Sequence, residues 1–590
     1  MKFLKYFFIG LISKPANSPL LWIGVRSEAK RTLGFERCPI HIKIKVFIPI
    51  LCLTLLFAGC KNTSKTADQI YYNGKVYTVD KDFSVATAFA VSNGKIVAVG
   101  TDNDLESYDA SERIDLQGKF VYPGFQDAHC HFYGYGEDLN KIWLTGTNSY
   151  SDALDTIVKY KNQQIGDWLF GRGWDQNDWE EKTYPDKTQL DSLFPNTPVF
   201  LLRVDGHAAL VNQTALNIAG ITTSTKVQGG IIEQKNGKLT GILMDAAVDI
   251  VYHIIPEFSN IEQQNALINA QKNCFAVGLT SVTDAGIKNT GLKIKTILLI
   301  DSLQKNGALQ MRINAMAAIE EVAYYVENGK IKTPALSVHS FKLYADGALG
   351  SRGACLLEPY TDQPGHYGFL SHSASYLDSV AAKVAAMGFQ LNSHCIGDSS
   401  HRLMLQIYEK YISKTDNHRW RIEHAQVINP SDLIYYKNNK IIPSVQPVHA
   451  TSDMYWAEDR LGPMRVKGAY AYKELLNQNG IIAAGSDFPV EHINPLFGFY
   501  AAVARKDQKN FPENRFQPEN ALTRKEALRA MTIWSAYAAF ADSETGSLEN
   551  GKYADFVILD EDIMQIPEEK IWNVKLAATY LNGKKVYSHK

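Results

Sequence analysis

The chain has 590 residues, a formal net charge of -1 at pH 7, 45% hydrophobic residues and 21% charged residues. This composition is that of an ordinary globular protein, and the near-neutral balance without a basic stripe argues against a nucleic-acid partner. The length exceeds one ordinary domain, but a (β/α)8 barrel with insertions can account for most of it.

The first distinctive element is an apolar run that follows lysines and ends in small residues, IKIKVFIPILCLTLLFAGC at residues 42–60. The run is short for a membrane span and has the layout of a secretory signal, although an anchor helix is the alternative. It resembles a bacterial lipoprotein signal, which implies a leader over residues 1–60, lipidation of Cys60 and a tether at residues 61–66. The protein would then be exported and lipid-anchored to a bacterial membrane. Residues 1–41 precede the charged region where a signal should begin, which suggests a start codon placed too far upstream.

Short strands joined by tight turns are predicted at both ends of the remaining chain. Asn-Gly pairs flanked by alternating apolar residues, as in QIYYNGKVYTVD and AVSNGKIVAVG, are strong hairpin signals. The stretches GSLENGKYADFVILD and VKLAATYLNGKKVYS near the other end have the same character. We therefore predict one small, discontinuous β-sandwich formed by residues 67–122 together with residues 541–590.

Between these ends, eight strand-like runs alternate with helical stretches. In chain order the runs are VYPGFQDAH, GLTSVTDAG, MRINAMA, HSFKLYADG, GFQLNSH, RWRIEHA, IIPSVQP and IIAAGSDFP. This alternation predicts an α/β fold, a (β/α)8 TIM barrel over residues 123–540, with catalytic groups at the C-terminal ends of the strands. The gap after the first run is too long for one helix, so we predict a large insertion at about residues 134–280 that covers the barrel mouth.

Residues with metal-binding chemistry end five of these runs. They are His129 and His131 on the first, Lys342 on the fourth, His394 on the fifth, His424 on the sixth and Asp487 on the eighth. Imidazole and carboxylate groups suit zinc and similar divalent ions, and a lysine can join them as a carbamate that bridges two ions. The alternative for each histidine is a satisfied core or surface group. For Lys342 the alternative is a salt bridge with Asp346 or another carboxylate.

The motifs PGFQDAHCH, FKLYADGALGSRGA, LNSHCIGD, RIEHAQ and GSDFPV resemble, in this order, those of the amidohydrolase superfamily. They are most similar to the amidohydrolase-3 branch, which includes N-substituted formamide deformylases, and the resemblance runs from about residue 68 to the end. It implies that the two histidines of the HxH pair hold one metal ion and that the two later histidines hold a second. It further implies that Lys342 is carbamylated and bridges the ions, and that Asp487 is a ligand and the catalytic proton shuttle. Zinc is the expected metal, as one or two ions.

The chemistry expected from these parts is hydrolysis. A metal ion lowers the pKa of bound water from about 16 to about 7, which supplies hydroxide at neutral pH. Asp487 would take the proton and deliver it to the leaving nitrogen, so we expect cleavage of an amide-like, non-peptide C–N bond in a small-molecule substrate. The alternatives are an esterase, lactonase or dipeptidase on the same scaffold, and a lipoprotein that binds a ligand without turnover. A homodimer is a further expectation.

Four further residues are candidates for substrate binding. His207 lies in RVDGHAALVN, which the resemblance places near the pocket, although a buried structural histidine is the alternative. His449 follows the seventh run and could contact substrate or stabilise the oxyanion. Arg352 could bind a carboxylate or form a loop salt bridge, and Trp174, with Trp179, could line an apolar pocket or belong to the core.

Overall fold

The computed structural model describes residues 65–162, 164–256, 258–287, 290–412 and 417–589. The predicted leader and Cys60 lie outside the described residues. The first strand begins at Lys65, so the last two residues of the predicted tether belong to the folded unit. Within the described ranges, no helix combines the length and the apolar character needed to cross a membrane.

The elements of the first part of the chain belong to the predicted sandwich and to the first barrel strand. They are β1 (Lys65–Tyr72), β2 (Lys75–Tyr77), β3 (Val85–Ala86), β4 (Ala88–Ser92), β5 (Lys95–Gly100), α1 (Asp102–Leu105), β6 (Tyr108–Asp115), β7 (Phe120–Pro123) and β8 (Phe125–Cys130). The next elements form the insertion and the helix that leads back to the barrel. They are α2 (Phe132–Asp138), β9 (Ile142–Trp143), α3 (Tyr150–Lys159), β10 (Gln164–Ile165), β11 (Trp168–Trp174), α4 (Thr188–Leu193), β12 (Val199–Arg203), β13 (Ala208–Val211), α5 (Gln213–Ile218), β14 (Gly230–Lys235), β15 (Lys238–Asp245), α6 (Ala246–Tyr252) and α7 (Asn260–Ala276).

The remaining elements complete the barrel and the sandwich. The barrel elements are β16 (Leu279–Asp284), α8 (Ile294–Lys305), β17 (Arg312–Ala318), α9 (Val322–Asn328), β18 (Ile331–Lys332), β19 (Leu336–Tyr344), α10 (Ala374–Ala386), β20 (Gln390–Cys395), α11 (Asp398–Tyr411), β21 (Arg421–His424), α12 (Ile434–Asn439), β22 (Ile442–Val445), α13 (Pro447–Asp453), α14 (Ala457–Arg465), α15 (Tyr472–Asn479), β23 (Ala483–Ala484), α16 (Pro495–Ala504), α17 (Arg524–Ala530) and α18 (Ile533–Ala538). The last strands are β24 (Phe556–Leu559), β25 (Leu576–Leu581) and β26 (Lys584–Ser588).

Eight parallel strands form the predicted (β/α)8 barrel in the order β8, β16, β17, β19, β20, β21, β22 and β23. The ring closes between its first and last strands through two backbone hydrogen bonds. Asp487 N donates to His129 O at 2.7 Å, and His131 N donates to Phe488 O at 2.8 Å. Helices cover the outside, and β19 is buried along its whole length although it carries Ser337, His339, Ser340 and Lys342. The TIM-barrel prediction is confirmed.

The insertion after the first barrel strand is also confirmed, and it carries its own sheet. Strands β10, β11, β12, β13, β15 and β14 follow one another in that order, and β9 pairs with β11. Apolar residues pack on both faces of this sheet, with Trp174 and Leu201 in one cluster and Phe170 and Phe200 in the other. Helix α7 leads back to the barrel and begins at a capping box in which Ser259 and Glu262 satisfy each other's backbone N–H groups.

The predicted discontinuous sandwich is confirmed as two sheets that share one core. The first sheet has the order β5, β4, β1, β6, and the second has the order β26, β25, β24, β7, β2, β3. The second sheet therefore joins both ends of the chain. Asp562 of the C-terminal part accepts hydrogen bonds from Lys75 Nζ at 2.7 Å and from Tyr122 OH at 2.9 Å. These contacts add a buried polar link between the two chain ends.

Candidate functional site

The six predicted metal ligands all lie at the C-terminal mouth of the barrel. They are His129, His131, Lys342, His394, His424 and Asp487, and every one except His131 is at least nine-tenths buried. The barrel brings them together because the C-terminal ends of parallel strands meet at one edge. All of them except His129 line a cavity of about 300 Å³ that the insertion also lines.

One cluster consists of His129, His131 and Asp487. Nε2 of His131 lies 3.1 Å from Oδ1 of Asp487, and Nε2 of His129 lies 3.5 Å from the same oxygen. One ligand atom from each residue falls within 4.8 Å of the others. The backbone bond that closes the barrel between Asp487 and His129 sets this spacing. A single divalent ion could contact all three groups.

The orientation of His129 is set by a buried carboxylate that the sequence analysis did not identify. Nδ1 of His129 is in close contact with Oε2 of Glu423, so Nδ1 carries the hydrogen and Nε2 faces the cluster. Glu423 is itself held by Arg421, whose Nε and Nη2 donate to its two oxygens at 2.7 and 2.8 Å. The signal was present in RIEH, since Arg421 and Glu423 are two charged residues with the same facing in an otherwise buried strand.

Two more histidines have their second ring nitrogen occupied by the protein. Nδ1 of His131 donates to the carbonyl of Gly286 at 2.6 Å. Nδ1 of His424 donates to the side-chain oxygen of Gln446 at 2.8 Å. Such contacts fix the tautomer of metal-binding histidines and leave the Nε2 lone pair available.

A second cluster surrounds His424. Its ring centroid lies 4.5 Å from that of His394 and 4.9 Å from that of His129. One ligand atom each from His424, His449 and Asp487 fall within 4.8 Å of one another, so the two clusters share Asp487. Nε2 of His394 lies 3.5 Å from the carbonyl of Gly347. The other ring nitrogen, Nδ1, does not make this contact.

Lys342 lies beside His129 of the first cluster. Its Nζ lies 3.2 Å from Nε2 of His129, and the residue is 2% exposed. Burial lowers the pKa of Lys342 to about 8, against the opposing effect of Glu423 and Asp487. The alternative partner, Asp346, accepts hydrogen bonds from three backbone N–H groups and one hydroxyl instead. An amine that is readily uncharged is the form that can react with CO2.

The protonation states of the clusters suit metal binding. Burial lowers the pKa of His129 to about 4, and burial with the neighbouring rings holds the pKa values of His394 and His424 well below the usual 6.5. Burial alone would raise the pKa of Asp487, but the adjacent His131 and His129 hold it well below the usual 3.8. Neutral imidazoles and an ionised carboxylate are the forms in which these residues bind metal ions.

The backbone is strained where two of these residues leave their strands. His424 has a φ of 68° and Asp487 has a φ of 63°, values that L-residues other than glycine rarely adopt. Ala425, next to His424, has a φ of 44°. Such strain persists where the surrounding structure over-determines it, and it is concentrated at functional sites.

Asp127, two residues before His129, supports the site through hydrogen bonds. Its carboxylate accepts hydrogen bonds from His129 N at 3.0 Å and from the hydroxyl of Ser486 at 2.6 Å, so it links the first strand to the segment that follows the last. A side chain at Gly485 would place its Cβ 2.4 Å from Oδ1 of Asp127. A carboxylate that does not line the cavity thus helps to hold the site in place.

Two of the four predicted substrate-binding residues line the cavity, and two do not. His207 reaches it from the insertion, and Asp245 raises the pKa of His207 against the effect of burial. His449 places Nε2 3.8 Å from Oδ2 of Asp487. Trp174 is 1% exposed and donates its indole N–H to the carbonyl of Leu201, so it belongs to the core of the insertion together with Trp179.

Arg352 lies away from the central cavity. Its guanidinium pairs with Asp362 at 2.8 Å, and it lines a neighbouring cavity rather than the one at the barrel mouth. This pairing is the loop salt bridge that was the alternative to a carboxylate-binding role for Arg352. Further carboxyl groups line the central cavity, and burial raises the pKa of Glu491 to about 8 and that of Asp453 to about 7.

The donor set fits a divalent metal ion. Imidazole nitrogens and a carboxylate oxygen are the ligands that zinc prefers, and two clusters with one shared aspartate offer room for one or two ions. The supporting contacts of Glu423, Gly286 and Gln446 are the kind that orient such ligands.

The sequence profile of the amidohydrolase family matches residues 112–587. The chain is 32% identical to Protein LONG AFTER FAR-RED 3 of Arabidopsis thaliana over 94% of this chain and 98% of that protein. It is also 32% identical to the Bacillus subtilis protein YtcJ, which carries a provisional amidohydrolase name, over 88% of this chain and 99% of that protein.

Two further similarities concern hydrolases. The N-substituted formamide deformylase of Arthrobacter pascens is 26% identical over 88% of this chain and 97% of its own length. A solved structure of an uncharacterised metal-dependent hydrolase from Pyrococcus horikoshii superposes with a TM-score of 0.69 at 27% identity. The match covers 85% of this chain and 99% of that structure.

Proposed function

Because this chain belongs to the amidohydrolase family, we propose that it hydrolyses an amide-like, non-peptide C–N bond of a small molecule. The observation that carries the proposal is the convergence of four histidines, a lysine and an aspartate at the barrel mouth, around a cavity of about 300 Å³. The deformylase of Arthrobacter pascens acts on N-substituted formamides by name, so N-formyl and N-acyl amides are the first substrates to test.

We assign the ligand roles as follows. His129, His131 and Asp487 would hold one ion, and His394 and His424 would hold a second, with carbamylated Lys342 between them. Zinc is preferred on ligand chemistry. A bound divalent ion would supply Lewis acidity and lower the pKa of water from about 16 to about 7.

Asp487 is the residue we assign to proton transfer. The neighbouring histidines hold its pKa well below the usual value, so it is ionised and able to accept a proton at neutral pH. Its Oδ2 lies 3.8 Å from Nε2 of His449, and both residues line the cavity. Asp487 would then return the proton to the leaving nitrogen.

The proposal is tested with the full-length chain by elemental analysis together with a substrate panel. We expect one or two equivalents of zinc or a similar ion, loss of hydrolysis after chelation and its return on adding the ion. Asp487→Asn should abolish turnover, and matched amide and ester pairs would separate an amidohydrolase from an esterase or lactonase on the same scaffold. A metal-free protein whose ligand binding is unchanged by Asp487→Asn would favour a binding protein without turnover and overturn the proposal.

We further propose that the protein is exported and lipid-anchored through Cys60. The support is the order of lysines, apolar run and small residues in 42–60. Mass spectrometry of the mature N-terminus should find a diacylglyceryl-modified Cys60, and Cys60→Ser should release the protein from membranes. Mature protein that retains residues 1–41 would contradict this proposal. A homodimer remains part of the proposal and is measured by sedimentation.

A further inference from the structure

The insertion places His207 at the barrel mouth. Asp245 contacts this histidine in two ways. Nδ1 of His207 lies 2.7 Å from Oδ1 of Asp245, so the ring nitrogen donates to the carboxylate. The backbone N–H of Asp245 donates in turn to the carbonyl of His207 at 2.7 Å. The two residues are thus joined through both side chain and main chain.

Asp245 adopts a backbone conformation that is unfavourable for an aspartate. Its φ is 49° and its ψ is -124°, a region that glycine enters freely and that other residues rarely occupy. A structural role alone would be served at least as well by glycine at this position. The strain therefore points to a requirement for the carboxylate.

The barrel leaves room for this carboxylate. Two glycines in the loop after β19 face it. A Cβ on Gly347 would lie 2.6 Å from Oδ1 of Asp245, and a Cβ on Gly353 would lie 2.7 Å from Oδ2. Oδ2 is buried and has no hydrogen-bond partner among the residues that the structure describes. Insertion and barrel are therefore both shaped around a buried carboxylate.

The free side of the His207 ring faces the cavity. Its ring centroid lies 5.4 Å from that of His394, and the residue lines the cavity at the barrel mouth. Within the described ranges, the hydrogen-bond partner of the ring is Asp245 through Nδ1, so Nε2 is left for a ligand.

We propose that Asp245 is a positioning residue for hydrolysis. It fixes Nδ1 of the His207 ring and thereby presents Nε2 to a polar group of the substrate beside the metal ligands. The inference rests on the proposed function and adds that the insertion supplies a fixed substrate contact. The substrate must then carry a hydrogen-bonding heteroatom next to the bond that is cleaved.

The decisive variant is Asp245→Gly, because it removes the carboxylate and also relieves the positive φ. We expect an unchanged or higher melting temperature together with a fall in kcat/KM of about 10- to 100-fold, the range found when the groups that orient metal ligands are removed. The matched control is Asn236→Gly, which relieves a φ of 53° in the turn between β14 and β15 and should leave kcat/KM unchanged. Asp245→Asn tolerates the same φ and covers the case in which the glycine variant does not fold.

A double-mutant comparison shows whether Asp245 acts through His207. The variant with both Asp245→Gly and His207→Ala should lose no more kcat/KM than His207→Ala alone. Independent losses that multiply, or an Asp245→Gly variant within twofold of the wild type, would overturn the inference.

A readout that needs no turnover separates this inference from the proposed function. With 15N-labelled histidine, the resonances absent from His207→Ala identify His207. We expect a protonated Nδ1 in the wild type and loss of that single tautomer in Asp245→Gly. An unprotonated Nδ1 in the wild type would overturn the inference whether or not the protein hydrolyses amides.

Discussion

Replacing Glu423 with glutamine should weaken both the fold and the metal site. The carboxylate is fully buried between Arg421 and His129, and Arg421 contacts both of its oxygens. Although burial would raise the pKa of Glu423, Arg421 and His129 lower it to about 2, so the group is ionised throughout the neutral range. Glu423→Gln keeps the volume but removes the charge, leaving the buried guanidinium of Arg421 without the carboxylate that balances its charge.

The expected magnitudes follow from these contacts. Removing one partner of a buried ion pair costs about 3 to 5 kcal/mol of folding free energy. The glutamine oxygen can still accept from Arg421, so we expect about 3 kcal/mol, a fall of about 6 °C at roughly 2 °C per kcal/mol for a large domain. Loss of the group that orients a ligand histidine should weaken metal binding by about 10- to 100-fold, which is about 1.4 to 2.7 kcal/mol.

The assay is thermal unfolding of the metal-free protein together with metal titration against a competing chelator. The matched control is Glu491→Gln, a partly buried carboxyl that lines the cavity at the barrel mouth. Burial raises its pKa to about 8, so the carboxyl is mostly protonated at pH 7 and the amide replaces a largely neutral group. We expect the control to keep its stability and metal affinity. If Glu423→Gln melted within 1 °C of the wild type and bound metal within twofold, the assigned role of Glu423 would be refuted.

Four other outcomes are expected. Lys342→Ala should lower the metal content from two ions to one or none, measured by elemental analysis, and an unchanged content would make the lysine structural. Gly485→Ala should lose about 1 to 3 kcal/mol of stability and part of the bound metal, because its Cβ would lie 2.4 Å from Oδ1 of Asp127. Arg352→Ala should leave KM within twofold, because its guanidinium pairs with a loop aspartate away from the cavity, and a large rise in KM would return it to the substrate site. Asp562→Asn should lower stability in urea at pH 7. Burial alone would raise the pKa of this carboxyl, but hydrogen bonds from Lys75 and Tyr77 hold it below the usual 3.8. Its contribution is therefore present above pH 3.8 and is lost as pH falls through the depressed pKa, so the difference from wild type should shrink over that range. A constant difference across pH would contradict this reasoning.

Much of the architecture was accessible from local patterns. The barrel was recognisable because eight strand-like runs alternate with helical stretches, and because polar residues stand where several of these strands end. The hairpins of the sandwich were recognisable from their Asn-Gly turns. The order of the motifs then indicated the superfamily before any contact was known.

The contacts of each candidate residue could not be predicted from the sequence in the same way. Trp174 and Arg352 have the chemistry of pocket residues, but the first is enclosed in the core of the insertion and the second is paired with Asp362. Asp245 was overlooked because an isolated carboxylate in a sequence carries no mark of what it contacts. Glu423 had Arg421 as a signal two residues away, but the sequence does not show that its other partner is His129.

The sequence by itself determined the (β/α)8 barrel, the insertion, the shared sandwich and the set of residues able to bind metal at the strand ends. These properties depend on periodicity, turn chemistry and side-chain type, all of which are local. Only the tertiary structure decided that Asp487 meets His129 where the barrel closes, that Glu423 orients His129 and that Asp245 holds His207 over the cavity. Those contacts join residues from 38 to 358 positions apart, so they exist only once the barrel has closed and the insertion has packed against it.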